Sequence, residues 1–415
     1  MPSVLPFRGY LVAPERVHDV VAPAFDALTP AQRNLYAREH PNNYVNAMRS
    51  LEEFPAAERP TLDVLLEENR RNLENLLGQG AFRDTGAPCL FVYRLRMDCH
   101  EQVGLVGEVP IAEYDLDVIK KHEYTQTNRE DQLARYNDVV GAASSPVCLT
   151  YAHHPGIDAV TREVTKSPPS IDFVADDGVA QSIWCIDDAG VQESLQRHFK
   201  EVGEAYLTDG HHRAAAGSRF AQARRQRNPH HTGTEPYNYL LVVLFPDDQL
   251  RILAYNRYVT DLNGFGADEL LDRLSGNFEV EYLDGAADRD AAPSRPREFA
   301  MLLEGRWYRL RVDPSSIPAA DPVDSLDITI LHDRILGPIL GIADVRCDER
   351  CESISGASGM AGLAERCRGN GGVAFACHPV TIQQLMAVAD AGRVMPPKST
   401  WFDPKVRSGL FLRLR

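Results

Sequence analysis

The sequence lacks the features that would place it in several large classes of protein. No apolar stretch approaches the roughly 20 residues that span a membrane, and the start, MPSVLPFRGYLVAPERV, has neither the basic residues nor the unbroken apolar core of a secretory signal. There is no G-x-x-x-x-G-K-[ST] string, no serine nucleophile elbow and no H-E-x-x-H motif. Walker-type nucleotide sites and zincin sites are therefore excluded on their own motifs, and we expect a cytoplasmic protein without a membrane partner.

Positive charge is also in short supply. Lys and Arg together number 44 against 59 Asp and Glu, which gives a formal net charge of −15. Such a balance repels the phosphate backbone of nucleic acids unless a local patch overrides it. The segment from Arg219 to Arg227 holds four arginines, but its spacing is typical of a solvated helix face. We expect no nucleic-acid partner.

Cysteine pairs at short spacing are absent too. The eight cysteines are scattered over a large chain, which favours reduced thiols over a disulfide framework. Four of them, Cys347, Cys351, Cys367 and Cys377, fall close enough together to make a zinc site conceivable. No C-x-x-C pair occurs among them, and Cys377 ends an apolar run, GGVAFAC, as a buried strand residue would. Ordinary thiols are the favoured interpretation.

The pattern along the chain predicts a mixed α/β fold in two parts. Residues 1–283 alternate amphipathic helices, as at 59–79 and 211–227, with strand patterns at 89–97, 102–111 and 239–246. The run YLLVVLFP indicates a strand buried on both faces, whereas the hairpin spacings around it predict mixed and not strictly parallel pairing. A loop-like segment at 284–299 separates this domain from a smaller α/β unit at 300–415.

The most informative stretch is TDGHHRAAA at residues 208–216. It follows a short apolar strand pattern and opens a run with strong helix preference, so Thr208 or Asp209 can cap a helix. Gly210 lets the backbone approach a ligand, and the first-turn N–H groups then point at it. Arg213 adds a planar fork that matches phosphate geometry. A phosphate-binding loop is favoured over a capped surface helix.

Three further clusters carry polar side chains suited to the same task. Asp26 follows a turn containing Pro23, and could equally be an ordinary turn aspartate. A second cluster offers cations and acids that would meet anionic oxygens or move a proton, or else form a solvated loop; its members are Lys121, His122, Glu123, Arg129 and Asp131. The third places one charge and two hydroxyls beside two prolines, as Lys398, Ser399 and Thr400.

Together these blocks resemble the family known as domain of unknown function 1015 (DUF1015), nearly from end to end. The blocks are FRGYLV (7–12), VVAPAFD (20–26), KHEYT (121–125), TDGHHRAAA, YNYLLVVL (237–244), LDITILHDRILGPILG (326–341) and MPPKSTWFDPKVRSGLFLR (395–413). TDGHHRAAA is also similar to the G-x-x-R-x-x-A signature of the ParB/sulfiredoxin-like superfamily, which includes free serine kinases. The resemblance implies a mixed-sheet ParB/sulfiredoxin-like core and a phosphotransferase.

Carried over residue by residue, the resemblance implies specific roles. Gly210, His211, His212 and Arg213 would hold phosphate, and Asp209 would bind Mg²⁺ or orient the acceptor hydroxyl. The chemistry of phosphoryl transfer adds Glu123 or Asp26 as the general base, Lys398, Ser399 and Thr400 as a further anion grip, and the 121–131 cluster as the substrate site. The donor would be ATP, ADP or pyrophosphate and the favoured acceptor free L-serine. A nucleotide-binding regulatory module without turnover, or a phosphohydrolase, stays open as an alternative.

Overall fold

The computed structural model describes residues 2–317 and 321–415. Within these residues, no helix has the length and apolar character needed to cross a membrane. The α-helices, in chain order, are α1 Val17–Val20, α2 Pro30–Glu39, α3 Leu62–Gly78, α4 Ile111–Asp115, α5 Thr127–Val140, α6 Pro155–Val164, α7 Ala189–Phe199, α8 His211–Arg227, α9 Ala267–Ser275, α10 Asp327–Leu331, α11 Gly359–Asn370 and α12 Ile382–Asp390. Short 3-10 segments lie between many of them, and a π-helical turn, His332–Leu336, continues α10.

The strands are mostly short. In chain order they are β1 Tyr10–Val12, β2 Phe82–Asp84, β3 Leu90–Met97, β4 His100–Pro110, β5 Ile119–Lys120, β6 Ala142–Ala143, β7 Val147–Tyr151, β8 Ile171–Val174, β9 Ala180–Ile186, β10 Ala205–Asp209, β11 Tyr239–Pro246, β12 Ile252–Leu253, β13 Tyr255–Val259, β14 Glu279–Tyr282, β15 Glu298–Leu303, β16 Arg306–Arg311, β17 Cys351–Ser355, β18 Val373–Cys377, β19 Trp401–Phe402 and β20 Phe411–Leu414.

The chain divides into two compact units. Unit 1 comprises the chain up to Lys121, Thr125–Leu250 and Pro404–Arg415, and unit 2 comprises His122–Tyr124 and Arg251–Asp403. This division differs from the sequence-based boundary at 284–299. The chain changes unit at Arg251 because β13 pairs with β17 and β18, so residues 255–283 belong with the later part of the chain. It returns to unit 1 at Pro404.

Unit 1 is organised around an eight-stranded mixed sheet with the order β5-β10-β7-β11-β4-β3-β9-β8. β5 and β7 run parallel to β10 and β11 respectively, while the other neighbouring strands are antiparallel. Side chains of β11 alternate between two cores, with Leu241 and Val243 in one and Leu240 and Val242 in the other. Both faces of this sheet are therefore covered, and the prediction of mixed pairing is confirmed.

A second sheet of unit 1 pairs a strand near the start of the sequence, β1, with a strand near its end, β20. Its four antiparallel strands have the order β2-β1-β20-β6, so that Leu11 is paired with Phe411. Phe411 packs its ring on Phe91 of β3 at a centroid distance of 5.3 Å. Apolar side chains of the segment 404–415 thus belong to the core of unit 1.

Unit 2 contains a six-stranded antiparallel sheet with the order β14-β16-β15-β18-β13-β17 and a two-stranded ribbon of β12 and β19. α11 packs Leu363 and Cys367 on this sheet, among small strand residues such as Ala374 and Ala376. Cys377 ends β18 in a buried position, as its place in the apolar run predicted. The mixed α/β class predicted from the sequence is confirmed for the chain as a whole.

Candidate functional site

The strand-to-helix junction predicted from TDGHHRAAA is present in unit 1. β10 ends at Asp209, Gly210 adopts the left-handed conformation with φ of 94°, and α8 begins at His211. Thr208 is buried and its hydroxyl donates to the carbonyl oxygen of Cys148 on β7 at 3.0 Å. The β7–β10 register is irregular between Leu207 and Asp209. The hydrogen bond from Thr208 therefore holds the end of β10 against β7 where the strand pairing becomes irregular.

Gly210 is required by both its conformation and its surroundings. A Cβ atom at this position would lie 2.8 Å from Nη2 of Arg213. The Arg213 guanidinium folds back over the glycine, donating from Nη1 to the carbonyl oxygen of Pro146 at 2.8 Å and from Nη2 to Asp209 at 3.0 Å. Gly210 has no side chain that could cap α8. The positive dipole end of this 17-residue helix is therefore not capped by its N-cap residue and can interact with a bound anion.

Asp209 lies between two cations. Its Oδ2 accepts from Arg213 at 3.0 Å, and its Oδ1 lies 3.3 Å from Nζ of Lys405. Burial raises the pKa of this carboxyl, but the charges of Lys405 and Arg213 outweigh burial and hold its pKa well below the ordinary aspartate value. Asp209 is therefore ionised at neutral pH, as a metal-binding or charge-orienting carboxylate must be.

Lys405 is the member of the site that the sequence analysis did not assign. Its side chain is 12% exposed, and its Nζ also lies 3.7 Å from Oδ2 of Asp26, whose side chain is 49% exposed. Burial lowers the pKa of Lys405, whereas the charges of Asp209 and Asp26 raise it, and the net shift is upward. Asp26, Asp209, Arg213 and Lys405 thus form one ionic cluster, which we call the unit 1 cluster.

The two histidines of the motif differ in their surroundings. His211 is buried in the first turn of α8, whereas His212 is partly exposed. Nε2 of His212 accepts a hydrogen bond from the backbone N–H of Gln126 at 3.1 Å. The His212 side chain therefore contacts the residue that immediately precedes α5.

The predicted substrate-binding residues of unit 1 are engaged elsewhere in that unit. Lys121 donates to the carbonyl oxygen of Tyr114 at 3.1 Å and pairs with Asp117 at 3.3 Å. Arg129 makes two contacts with Glu52, at 3.1 and 3.3 Å. Asp131 accepts from Arg219 of α8 at 2.7 Å. These ion pairs connect neighbouring elements, and the binding role of the three residues stays a prediction.

Five predicted residues belong to unit 2. The carbonyl oxygen of His122 accepts from the N–H of Met395 at 2.8 Å, and the side chain of Glu123 is exposed. Lys398 has a φ of 56°, and its Nζ lies 5.3 Å from the centre of the Tyr255 ring.

The hydroxyl of Ser399 donates to the carbonyl oxygen of Pro396 at 2.5 Å, so it closes the loop itself, while Thr400 is only partly exposed. Arg257, which is 1% exposed, donates to the carbonyl oxygens of Pro397 and Lys398 at 3.1 Å each. The loop at 395–400 is thus firmly held within unit 2, and the catalytic and binding roles of these residues stay predictions.

Comparisons with known proteins identify the family of the chain and several solved structures to which it is similar. The family model described as "Protein of unknown function (DUF1015)" matches residues 4–329. No curated protein matches the sequence.

Among solved structures, a conserved hypothetical protein from Pyrococcus furiosus is similar at 13% identity and a TM-score of 0.35, covering 73% of this chain and 93% of that one. A free serine kinase in complex with AMP is similar at 13% identity and a TM-score of 0.34, over 72% and 86% of the two chains. SbnI with a C-terminal truncation, from Staphylococcus aureus, is similar at 13% identity and a TM-score of 0.37, over 73% and 85%. Likenesses with TM-scores below 0.5 carry no conclusion about the chemistry of this chain.

Proposed function

We propose that this chain, which belongs to the DUF1015 family, transfers a phosphoryl group from ATP, ADP or pyrophosphate to the hydroxyl of a small metabolite, with free L-serine as the favoured acceptor. The observation that carries the proposal is the junction of β10 and α8. There a glycine with φ of 94° immediately precedes a long helix, beside an ionised aspartate and two cations. A helix start of this kind binds phosphate oxygens.

Stabilisation of negative charge is the main requirement of phosphoryl transfer. Arg213 supplies a guanidinium with five N–H donors, of which one contacts Pro146 and one contacts Asp209. Lys405 supplies a second, buried cation held in place by two carboxylates. In our proposal the phosphate lies against the first turn of α8, and the Arg213 guanidinium, which lies over Gly210, completes its contacts.

Mg²⁺ is the metal we assign to the unit 1 cluster. This ion prefers oxygen ligands and is held in phosphoryl-transfer sites by one or two carboxylates together with phosphate oxygens and waters. Asp209 fits as such a ligand because its low pKa keeps it ionised, although both of its oxygens already contact a cation. When bound, the metal would neutralise charge on the phosphates of the donor.

The remaining requirement is a carboxylate that orients the acceptor hydroxyl and, as a general base, receives its proton. Asp26 is our candidate within unit 1, because its carboxylate lies 3.7 Å from Lys405 and is half exposed to solvent. Glu123, in unit 2, is the other acid that the sequence indicates. Such a base contributes less to the rate than positioning and charge stabilisation do.

The test is a direct assay of the purified full-length protein. L-serine and Mg²⁺ are incubated with ATP, ADP or pyrophosphate in separate reactions, and O-phosphoserine is measured by mass spectrometry. Formation of O-phosphoserine with one donor is the expected result. Asp209→Asn should lower its rate by about 100-fold or more, whereas Asp63→Asn, which removes a carboxylate 76% exposed on α3, should not change it.

Other results of the same assay would contradict the proposal. Inorganic phosphate released at the same rate with and without L-serine would identify a phosphohydrolase. Nucleotide binding without any product would identify a regulatory module. If O-phosphoserine forms but Asp209→Asn and Asp63→Asn are equally active, the reaction is right and the assignment of the unit 1 cluster is wrong.

A further inference from the structure

Unit 2 contains a cleft that the proposed phosphotransfer does not use. Its volume is about 640 Å³, within the range of pockets that hold small molecules. The cleft is lined by the end of α9, by the start of β14, by the segment that precedes β15 and by the end of β16 with the residues after it. Phe278 and Val312, both largely buried, are among its apolar lining side chains. Three arginines also line it.

Arg297 differs from the other two because its backbone is held in a strained conformation. Its φ is 67°, in the left-handed region that non-glycine residues rarely adopt. Glu304, with φ of 48°, is also left-handed, but it lies in the hairpin turn between β15 and β16, where this conformation is common. Arg297 lies in the turn that leads into β15, where its left-handed backbone is strained because the residue is not glycine.

Contacts at both ends of the residue maintain that conformation. The backbone N–H of Arg297 donates to both carboxylate oxygens of Asp327, at 2.9 and 3.0 Å, and its carbonyl oxygen accepts from the N–H of Val312 at 3.2 Å. Asp327 is itself 5% exposed. The surrounding structure therefore fixes the direction in which the Arg297 side chain leaves the backbone, which is the arrangement expected of a preorganised binding residue.

The other two arginines of the cleft already have carboxylate partners. Arg311 contacts Glu279, Glu281 and Glu298, at 3.5, 2.8 and 3.4 Å. Arg295 lies 3.6 Å from Glu298. A carboxylate of Asp313 accepts from the backbone N–H of Ser315 at 2.9 Å.

The guanidinium of Arg297 is the exception. Over residues 2–317 and 321–415, no carboxylate oxygen lies within 4 Å of this guanidinium. Burial raises the pKa of Asp327, and the positive charge of Arg297 opposes this rise only from longer range. The cleft therefore holds one guanidinium that has no carboxylate partner among these residues, together with apolar lining side chains.

We propose that this cleft binds a small organic carboxylate, with the carboxylate on the Arg297 fork and the apolar part on Phe278 and Val312. One unmatched arginine fits a ligand of one negative charge, and the planar fork matches a carboxylate with two parallel hydrogen bonds. A phosphate monoester, with a charge of about −1.5 to −2 at neutral pH, would need a second unmatched cation. This site is independent of the phosphotransferase proposal.

The test uses 3-phenylpropionate as the probe and the full-length protein. Saturation-transfer NMR and calorimetry measure its binding beside that of the neutral 3-phenylpropionamide and of phenyl phosphate. The variant is Arg297→Gly, because glycine adopts a φ of 67° without strain and the fold should be retained. Glu304→Gly is the matched control, since it relaxes a left-handed residue outside the lining of the cleft.

We expect Arg297→Gly to bind 3-phenylpropionate at least about tenfold more weakly than the wild type, and Glu304→Gly to bind it equally well. The wild type should bind the neutral amide more weakly than the acid. The thermal midpoint of Arg297→Gly should not fall below that of the wild type. Equal binding of acid and amide, preference for phenyl phosphate, no binding of 3-phenylpropionate to the wild type, or a Kd unaffected by Arg297→Gly would each overturn the proposal.

Discussion

Replacing Lys405 by methionine should destabilise unit 1 strongly, because it removes a buried charge and keeps the shape of the side chain. At 3.3 Å from Asp209, the attraction between the two unit charges is about 5 kcal/mol at an effective dielectric constant of about 20. Loss of one partner of a buried pair costs about 3 to 5 kcal/mol. Arg213 continues to compensate Asp209 at 3.0 Å, so we expect a loss of about 2 to 3 kcal/mol for Lys405→Met.

The assay must report on unit 1 alone, because two units need not unfold together. Hydrogen exchange measured by mass spectrometry on peptides that contain β10 and the start of α8 provides such a local value. Lys166→Met is the matched control. It removes an ammonium 71% exposed that pairs with Glu163, and an exposed pair of this kind contributes at most about 1 kcal/mol.

The dependence on pH adds a second check. The pKa of Asp209 is lowered in the folded state, so its contribution to stability is present above the unfolded value of about 4 and is lost only as the pH falls through the folded value. The pKa of Lys405 is raised, so its contribution is lost only in the alkaline range above its unfolded value. The difference between wild type and Lys405→Met should therefore be constant from about pH 5 to pH 8. A loss no larger than that of Lys166→Met, or a difference that changes within this range, would refute the reasoning.

Three more substitutions test the structure around the two sites. Gly210→Ala should cost about 1 to 2 kcal/mol for the left-handed backbone, with further loss from crowding of Arg213, in the same local hydrogen-exchange measurement; unchanged stability would contradict the assigned conformation. Thr208→Val should cost about 1 kcal/mol in the same measurement, because the carbonyl of Cys148 loses its donor. Burial raises the pKa of Asp327 to about 7, so the folded state holds its proton more tightly and stability falls as the pH rises from about 4 to 7, by up to about 4 kcal/mol. Asp327→Asn should abolish this dependence, and a variant that keeps it would show that another group titrates.

Periodicity predicted the elements of the fold well where local pattern and tertiary packing agree. The helix predicted at 211–227 is present over those residues, and the run YLLVVLFP forms a strand with side chains in two cores. The boundary between the two parts could not be predicted in the same way. It depends on which strands β13 pairs with, and its partners β17 and β18 lie about a hundred residues further along the chain.

Sequence patterns indicated every member of the unit 1 cluster except Lys405: Asp209 and Arg213 from the TDGHHRAAA motif and Asp26 from the turn at 22–26. The Gly210 conformation and the closeness of Asp209 and Arg213 follow from local sequence, since all three lie within five residues. Lys405 stands 196 residues from Asp209, and a single lysine between Pro404 and Val406 carries no pattern that would indicate a buried cation. Burial and ion pairing across such a distance are properties of the folded chain, so only the coordinates could reveal them.

The order of segments in the chain has a consequence for synthesis. β1 and β10 of unit 1 leave the ribosome early, but β20 and Lys405 emerge only after the whole of residues 251–403 has been translated. At about 5 to 20 residues per second, this delay is on the order of ten seconds. During that time the nascent unit 1 has an unpaired edge at β1, and Asp209 lacks its lysine. A chaperone that binds exposed strand edges would act on the nascent chain in this interval. A product terminated before Lys405 would contain the TDGHHR motif without the lysine that pairs with Asp209.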